Sequence, residues 1–368
     1  MTTLPPEIAE LTSLRTLNLS RNQLTALPPE IAELTSLRML DLIDNPLPIP
    51  PEILSKKDEP ATIINYYLQH EAGEKKPLNE AKMLLVGQEI MHATHQFFLT
   101  KRSLYLLVLD ARLGDEENRI EYWLNIIKSF GEDSPVIIVG NKIDEQPLDI
   151  DKRGLMAKYR SIREIVEVSC KEGDGCAELK DIIAREVGLL EHVHDPLLTT
   201  WSAVKNRLEG MEEDYIPYQE YLGMCQTEGV TDDLSQRTLI GILHDLGIVL
   251  NFRDDPRLED TNILNPEWVT NGVYNILNSK ELLQMGGILK RETLNRILDA
   301  PGYPRDKQRM FIMDMMRKFK LCFDFDDFPD QRFLIPSLLS KEEPDTGDWG
   351  GALPFQYHYD VLPGSIIS

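Results

Sequence analysis

The first 49 residues contain two successive copies of one sequence pattern. The stretch LPPEIAELTSLRTLNLSRNQLTA (4–26) is followed directly by LPPEIAELTSLRMLDLIDNPLPI (27–49), a period of 23 residues. Each copy carries the pattern L-x-x-L-x-L-x-x-N, at Leu14, Leu17, Leu19 and Asn22 and again at Leu37, Leu40, Leu42 and Asn45. This pattern predicts a solenoid whose leucines point inward and whose asparagines bond backbone groups at each bend. Because two copies are too few to form a continuous core, we expect the array to pack against the next part of the chain.

After residue 49 the chain departs from the repeat. PIPPEILSK leads into a helical stretch, ATIINYYLQHE (61–71), and the polar segment GEKKPLNE (73–80) marks a boundary. From Ala81 onward, apolar runs alternate with helical patterns. The runs are KMLLVG (82–87), SLYLLVLD (103–110), PVIIVG (135–140) and EIVEVS (164–169), and helical spacing relates Ile120, Trp123, Leu124, Ile127 and Phe130. The alternation predicts a parallel sheet with crossover helices, in which ligands bind beyond the carboxyl ends of the strands.

A four-residue motif comes directly after the third apolar run. Asn141-Lys142-Ile143-Asp144 matches the N-K-x-D sequence of Ras-like G proteins. An ionised Asp144 carboxylate can accept from the ring N1–H and the exocyclic amine of guanine together, whereas adenine offers no such pair of donors. Lys142 can lay its methylene stem along the base, and Asn141 can tie this loop to its neighbours. The motif alone is short and has many chance matches.

A second element strengthens the guanine interpretation. The fourth run ends in Ser169-Cys170-Lys171, which resembles the Ser-Ala-Lys turn whose backbone amides contact the guanine oxygen in this superfamily. It begins 28 residues after Asn141, the spacing that one helix and one strand require. A helix is expected to open after Gly173-Asp174-Gly175. The alternative is an ordinary α/β domain with polar strand ends.

The phosphate-binding side departs from the Ras-like pattern. KMLLVG should lead into G-x-x-x-x-G-K-[ST], whose backbone amides and lysine hold phosphates, but Val86-Gly87 passes directly to Gln88 and EIMHATHQFF. That segment resembles the stretch after a D-x-x-G motif, with Gln88 in the place of the water-orienting glutamine. We therefore expect about 50 residues to be missing between Gly87 and Gln88, either deleted or present in a longer polypeptide. Without them the chain is not expected to hold GTP tightly.

Two further sets of residues have competing interpretations. Arg112 comes after LVLDA at the nucleotide-facing edge of the predicted sheet, where it could be an arginine finger or a residue of a surface salt bridge. His92 and His95 are three residues apart, but no cysteine or carboxylate lies at ligand spacing, so we interpret them as polar residues of a switch helix and predict no metal site.

Composition limits the partners and the compartment. The net charge of −22 disfavours nucleic-acid binding and contact with anionic membranes, although it can simply reflect solubility. Cys170, Cys176, Cys225 and Cys322 form no C-x-x-C pair and are expected to be free thiols in a reducing compartment. The apolar stretches are far shorter than the ~20 residues that span a bilayer, and no signal peptide is recognisable. These features predict a cytoplasmic protein.

Taken in order, the motifs resemble those of the Roco family. The similarity rests on LLVG, GQEIMHATHQFF, LLVLDAR, VGNKID, VSCKEGDG, LHDLGIVLNF, NPEWVTNGVYNIL and FLIPSLL. It implies leucine-rich repeats and a cap (1–60), a linker helix (61–80), an α/β Ras-like Roc GTPase domain (81–190) and a mainly α COR domain with winged-helix-like parts (191–368). No kinase motif is present, so the chain is similar to prokaryotic-type members. It stops in YDVLPGSIIS, before the family's COR domain would end.

The resemblance implies a GTPase switch that binds GTP or GDP with Mg²⁺, whose ligands would lie in the missing segment. It also implies homodimerisation through COR and Roc, and the repeats could bind a protein ligand. Gln88 and Arg112 are the expected catalytic residues, and Asn141, Lys142, Asp144, Ser169, Cys170 and Lys171 are the expected nucleotide-binding residues. The alternative is a nucleotide-free scaffold that recruits proteins through the repeats and carries a pseudo-GTPase core.

Overall fold

The structure is a computed structural model, and it describes residues 1–87, 94–299 and 302–339 of the 368-residue chain. Its helices are α1 Pro51–Leu54, α2 Pro60–Ala72, α3 Asp115–Asn118, α4 Ile120–Gly131, α5 Lys152–Lys158, α6 Cys176–Gly188, α7 Thr199–Glu209, α8 Tyr218–Thr227, α9 Asp233–Asp245, α10 Pro266–Leu277, α11 Lys280–Gln284, α12 Arg291–Ile297 and α13 Asp306–Lys318. Its strands are β1 Thr16–Asn18, β2 Met39–Asp41, β3 Lys75–Pro77, β4 Lys82–Gly87, β5 Ser103–Asp110, β6 Val136–Asn141, β7 Ile162–Glu167, β8 Pro196–Leu198, β9 Tyr215–Pro217, β10 Leu250–Asn251, β11 Thr261–Ile263, β12 Ile288–Lys290, β13 Phe323–Asp324 and β14 Arg332–Leu334. Short 3-10 helices lie at Pro6–Glu10, Pro29–Glu33, His95–Phe97, Glu191–His194 and Pro336–Leu338.

The chain divides into two compact units. The first, here called the repeat unit, comprises Met1–Ala81, Val187–Glu212 and Ile216–Val249. The second, here called the sheet unit, comprises Lys82–Glu186, Glu213–Tyr215 and the described residues from Leu250 onward. Residues of the predicted COR segment therefore contribute to both units. Across the described ranges, every helix is too short or too polar to cross a bilayer.

In the repeat unit, the two sequence repeats stack as predicted. β1 and β2 pair in parallel with Thr16 opposite Met39, so the register equals the 23-residue period. Asn45 donates from Nδ2 to the carbonyl oxygens of Leu19 and Leu42, each at 2.9 Å, and thereby links the two repeats. Its Oδ1 accepts from the Leu24 amide at 3.0 Å. The asparagine satisfies backbone groups at the bend, as expected from the pattern.

The repeats pack against the next part of the chain, which confirms that expectation. The amide of Leu27 donates to the Tyr67 hydroxyl of α2 at 2.9 Å in a buried contact. Helix α2 extends one residue beyond the predicted 61–71 at each end, and it starts with Pro60, whose ring suits the first helical turn. On α2, Gln69 donates to the Asp232 carboxylate at 2.9 Å. Asp232 is also the N-cap of α9, where it accepts from the Ser235 amide.

The sheet unit is built on four parallel strands in the order β4-β5-β6-β7. Three of them match the predicted apolar runs to within one residue, but β7 begins and ends two residues earlier than predicted. It ends at Glu167 because Ser169 leaves the ladder and its amide donates to the Asp174 carbonyl at 2.9 Å. The parallel order brings the carboxyl ends of the strands to one edge, with Asp110 opposite Asn141.

Helix α4 packs its apolar face against this sheet, as the spacing of its apolar residues predicts. Ile120, Trp123 and Ile127 are each at most 2% exposed and lie in one core cluster with Tyr105 of β5. Phe130, expected on the same face, is 40% exposed because the helix ends at the next residue.

A second core in the sheet unit gathers residues from β10 to the end of β14. It includes Trp268, Ile312 and Phe333, and it also takes in Phe97 from the segment between β4 and β5. The Phe97 ring lies 4.5 Å from that of Phe319, and Gln96 donates to the Phe319 carbonyl at 3.3 Å. Gln96 and Phe97 therefore anchor the described residues before β5 to the C-terminal part of this unit.

Candidate guanine-binding site

The loop after β6 is held by the side chain of Asn141. Its Oδ1 accepts from the Lys142 amide at 2.8 Å and from the Cys170 amide at 3.0 Å. The second bond joins this loop to the loop after β7, and Lys142 adopts the left-handed conformation with φ of 70°. The structure thus places Asn141 where it ties two loops together, the arrangement expected from the motif.

Asp144 lies at the meeting point of the same two loops. Its Oδ1 accepts from the Ser169 hydroxyl at 2.7 Å, and its Oδ2 lies 3.5 Å from Lys171 Nζ. Although the residue is exposed through its backbone, its side chain is only 12% exposed. The Ser169 hydroxyl bond lowers the pKa of Asp144, with a smaller contribution from Lys171. The carboxylate is therefore ionised at neutral pH and is a ready acceptor.

Lys142 is oriented by a buried carboxylate on the neighbouring strand. Its Nζ donates to Asp110 Oδ2 at 2.7 Å, and the Asp110 side chain is 4% exposed. Hydrogen bonds from Arg112 hold the pKa of Asp110 well below its usual value against the opposing effect of burial, and Lys142 lowers it further. With its ammonium fixed at the strand edge, the methylene stem of Lys142 is available to lie along a flat ring.

Arg112 is paired with two carboxylates of its own chain. Its guanidinium donates to both oxygens of Asp110, at 2.7 to 3.2 Å, and to Glu145 at 3.2 Å. The side chain is 42% exposed. These contacts are those of the salt-bridge alternative, and they join the loops after β5 and β6. A role as an arginine finger stays a prediction.

The loop after β7 is a compact turn that requires glycine. Ser169 accepts at its carbonyl from the Gly173 amide at 2.8 Å, and its Oγ accepts from the Glu172 amide at 3.1 Å. Gly175 has a φ of +71°, and a Cβ there would lie 2.2 Å from the Glu167 carbonyl oxygen. The turn thus directs the Ser169 hydroxyl at Asp144, while Lys171 remains 73% exposed.

Sequence reasoning overlooked two residues of this site. Asp110 is the last residue of β5, and its backbone amide and carbonyl both bond the Asn118 side chain, each at 3.0 Å. Asn118 is 1% exposed. A charged residue at the carboxyl end of a buried apolar strand was the available signal for Asp110. Nothing in the local pattern around Asn118 indicated its role.

The phosphate-binding side is described only in part. Gln88 and His92 lie outside the described residues, as does the side chain of His95. β4 ends at Gly87, where a Cβ would lie 2.3 Å from the Val108 carbonyl oxygen, so the strand end needs glycine for this close approach. The structure therefore brings together the six predicted nucleotide-binding residues and Arg112, but it does not place Gln88 with them.

Family comparisons agree with this arrangement along most of the chain. Residues 12–52 match the model for leucine-rich repeats in two copies, 59–144 match the Ras of Complex (Roc) domain, and 199–339 match the C-terminal of Roc, COR-A domain. A solved structure of Methanosarcina barkeri Roco2 RocCORdC bound to GDP is 37% identical, with a TM-score of 0.65, and the match covers 73% of this chain and 98% of that one. The chain belongs to the Roco family. The predicted order of repeats, Roc domain and COR domain is confirmed.

Curated relatives of this Roco chain are much longer proteins. The probable serine/threonine-protein kinase pats1 of Dictyostelium discoideum is 30% identical over 273 residues, which cover 70% of this chain and 8% of that protein. A Roc-COR-CHAT protease of an unknown prokaryotic organism is 27% identical, with coverage of 71% and 25%. The chain thus spans about a tenth of the first relatives and a quarter of the protease.

Proposed function

We propose that this protein is a Roco guanine-nucleotide switch that hydrolyses GTP to GDP and couples its nucleotide state to COR-mediated dimerisation. The Roc match and the GDP-bound Roco2 relative support a guanine-nucleotide-binding role. We also propose that it acts in the cytoplasm, where the four free cysteines would stay reduced.

The observation that carries this proposal is the state of Asp144. Its carboxylate is shielded, ionised and oriented by Ser169, so it can accept two hydrogen bonds from the Watson–Crick edge of guanine. Adenine lacks these two donors and would leave the Asp144 carboxylate unpaired, so the site should discriminate strongly against adenine. Lys142, held by Asp110, offers its stem to the face of the same base.

The phosphates need groups that the sequence does not contain. No G-x-x-x-x-G-K-[ST] stretch occurs in the 368 residues, so we expect this polypeptide to bind the base but to gain little from the phosphates. We assign hydrolysis to a polypeptide that carries the segment expected between Gly87 and Gln88. Within the described ranges, no three His, Cys, Asp or Glu side chains form a cation site.

Coupling to the COR segment is supported by the anchoring of Phe97. This residue is 1% exposed and lies within the core formed by β10 to β14, nine residues after Gln88. A displacement of Phe97 would therefore act on the COR core through direct packing. In a two-fold dimer, the same displacement would occur in both copies.

A second candidate function is a nucleotide-free scaffold with a protein ligand on the repeats. The missing phosphate motif favours it. Binding experiments with the base alone separate the two candidates, because a scaffold needs no guanine recognition.

The test is calorimetric titration of the full chain with guanosine, GDP, GTP, adenosine and xanthosine. We expect guanosine to bind with an affinity close to that of GDP and GTP, and adenosine not to bind. Asp144→Asn should weaken guanosine binding about tenfold or more and favour xanthosine, since the amide donates where the carboxylate accepted. Asp149→Asn, an exposed change five residues away, is the control and should leave guanosine affinity unchanged. If no guanine compound binds the unmodified chain, the switch proposal fails for this polypeptide and the scaffold is favoured.

A further inference from the structure

Two cysteines flank the turn that carries Ser169. Cys170 is exposed and Cys176 is partly exposed, at the start of α6. The turn folds back on itself, since the Ser169 amide donates to Asp174 at 2.9 Å and the Cys176 amide donates to Gly173 at 3.3 Å. As a result, the Cys176 thiol lies 3.8 Å from the Ser169 carbonyl oxygen, in the peptide unit directly before Cys170.

The two thiols are neighbours in space. Burial raises the pKa of the Cys170 thiol above its ordinary value, and the adjacent Cys176 thiol raises it further through a hydrogen bond and charge repulsion. The other two cysteines are buried, and burial raises the pKa of Cys225 to about 11 and that of Cys322 to about 12. Because Cys225 and Cys322 are buried whereas Cys170 is exposed, oxidants should react first at the Cys170–Cys176 pair.

We propose that Cys170 and Cys176 form a redox-active dithiol that closes to an intrachain disulfide within the guanine-binding loop. The oxidant is a low-molecular-weight disulfide such as oxidised glutathione. The exposed Cys170 thiolate attacks one oxidant sulfur, forms a mixed disulfide and releases one thiol. The Cys176 thiolate then attacks the Cys170 sulfur and releases the second thiol. Two protein thiols are oxidised, and one oxidant disulfide is reduced to two thiols.

The disulfide would act directly on base recognition, and this part of the inference rests on the proposed function. Bond formation brings the sulfurs to about 2.05 Å, which draws Cys170 towards the start of α6. The Cys170 amide is the group that binds Asn141 Oδ1, and the preceding Ser169 hydroxyl binds Asp144. Both contacts belong to the guanine loop, so oxidation should weaken guanosine binding several-fold. Disulfides in reducing compartments are usually transient and regulatory.

The experiment treats the full chain with oxidised glutathione, unfolds it in denaturant, alkylates the remaining thiols and digests with trypsin. Because trypsin cleaves after Lys171, between the two cysteines, the disulfide yields two covalently joined peptides in the mass spectrum. We expect that cross-linked pair, with Cys225 and Cys322 alkylated. In Cys170→Ser and Cys176→Ser, the remaining loop thiol should instead carry glutathione. Alkylation of both loop thiols in the treated wild type, or a separate glutathione on each, would overturn the proposal.

Guanosine titration of the reduced and oxidised chains tests the coupling separately. Weaker binding after oxidation that is reversed by dithiothreitol supports regulation of the site. Equal binding in both states refutes regulation even if the disulfide forms. If the reduced chain does not bind guanosine at all, the proposed function fails, whereas the cross-linked peptides still establish the dithiol.

Discussion

Gly175 offers a direct test of how tightly the guanine loop is built. It has a φ of +71°, and a Cβ there would lie 2.2 Å from the Glu167 carbonyl oxygen at the end of β7. Gly173, two residues earlier in the same loop, has a φ of +88° and no heavy atom within 4 Å of its Cβ position. Replacing each by alanine adds the same methyl group in the same class of backbone conformation. A comparison of the two variants therefore separates the cost of the steric clash at Gly175 from the cost of the left-handed backbone, which both positions share.

The expected magnitudes derive from these two environments. A left-handed backbone conformation costs an alanine about 1–2 kcal/mol. Alanine also restricts the unfolded chain more than glycine does, which stabilises the fold by about 0.4–1 kcal/mol. Gly173→Ala should therefore lower the free energy of unfolding by about 0–1.6 kcal/mol. In Gly175→Ala the loop or the β7 strand end must also shift, which typically adds about 1–3 kcal/mol. We expect its total cost to be about 1–5 kcal/mol of unfolding free energy, and the displaced Ser169 should weaken guanosine binding.

Differential scanning calorimetry and guanosine titration of both variants provide the measurement. The unfolding transition that contains the sheet unit should move down by roughly 5–10 °C in Gly175→Ala and by only a few degrees in Gly173→Ala. If the two variants shift the transition equally, the close approach of Gly175 to Glu167 does not constrain the loop, and our account of the turn is wrong.

Three other predictions test the site and its surroundings. Arg112→Ala, in a polypeptide that carries the phosphate-binding segment, should lower single-turnover GTP hydrolysis about 10- to 1,000-fold with nearly unchanged affinity; an unchanged rate at every protein concentration would leave Arg112 as a salt-bridge residue only. A hydrogen bond from Arg257 is the main reason that the pKa of Asp255 is lowered to about 2. The contribution of this carboxylate to the free energy of unfolding is therefore complete above the unfolded pKa near 3.8 and is lost as pH falls through 2. Its partner is 44% exposed, so we expect about 1 kcal/mol of acid-sensitive stability that Asp255→Asn lacks, measured by denaturant titration from pH 4 to 2. Asn118→Ala should cost about 1–3 kcal/mol in the same assay at neutral pH, because a buried strand amide loses its acceptor, whereas the exposed Asn271→Ala should be neutral.

Local patterns in the sequence predicted the elements of this fold well. The 23-residue repeat predicted the solenoid and its asparagine bonds, and the strands pair in the same register because a solenoid places equivalent residues of adjacent repeats side by side. The apolar runs predicted β4, β5 and β6 because a strand buried on both faces is nearly continuous in hydrophobicity. The end of β7 was misplaced by two residues, because the backbone bonds of the next turn, and not hydrophobicity, decide where that strand stops.

The sequence by itself determined that the chain carries the guanine-recognition motifs of a Roc domain, because the motif residues lie in two short segments whose order and spacing are visible along the chain. Only the tertiary structure decided which side chains hold those residues in place. Asp110 bonds Lys142 across 32 positions, and Ser169 bonds Asp144 across 25. Such partners depend on how parallel strands align at one edge of the sheet. The position of the Cys176 thiol beside the Ser169 carbonyl, next to Cys170, likewise depends on the fold of the turn. The free energy of these contacts comes from distance and burial, which local sequence patterns do not specify.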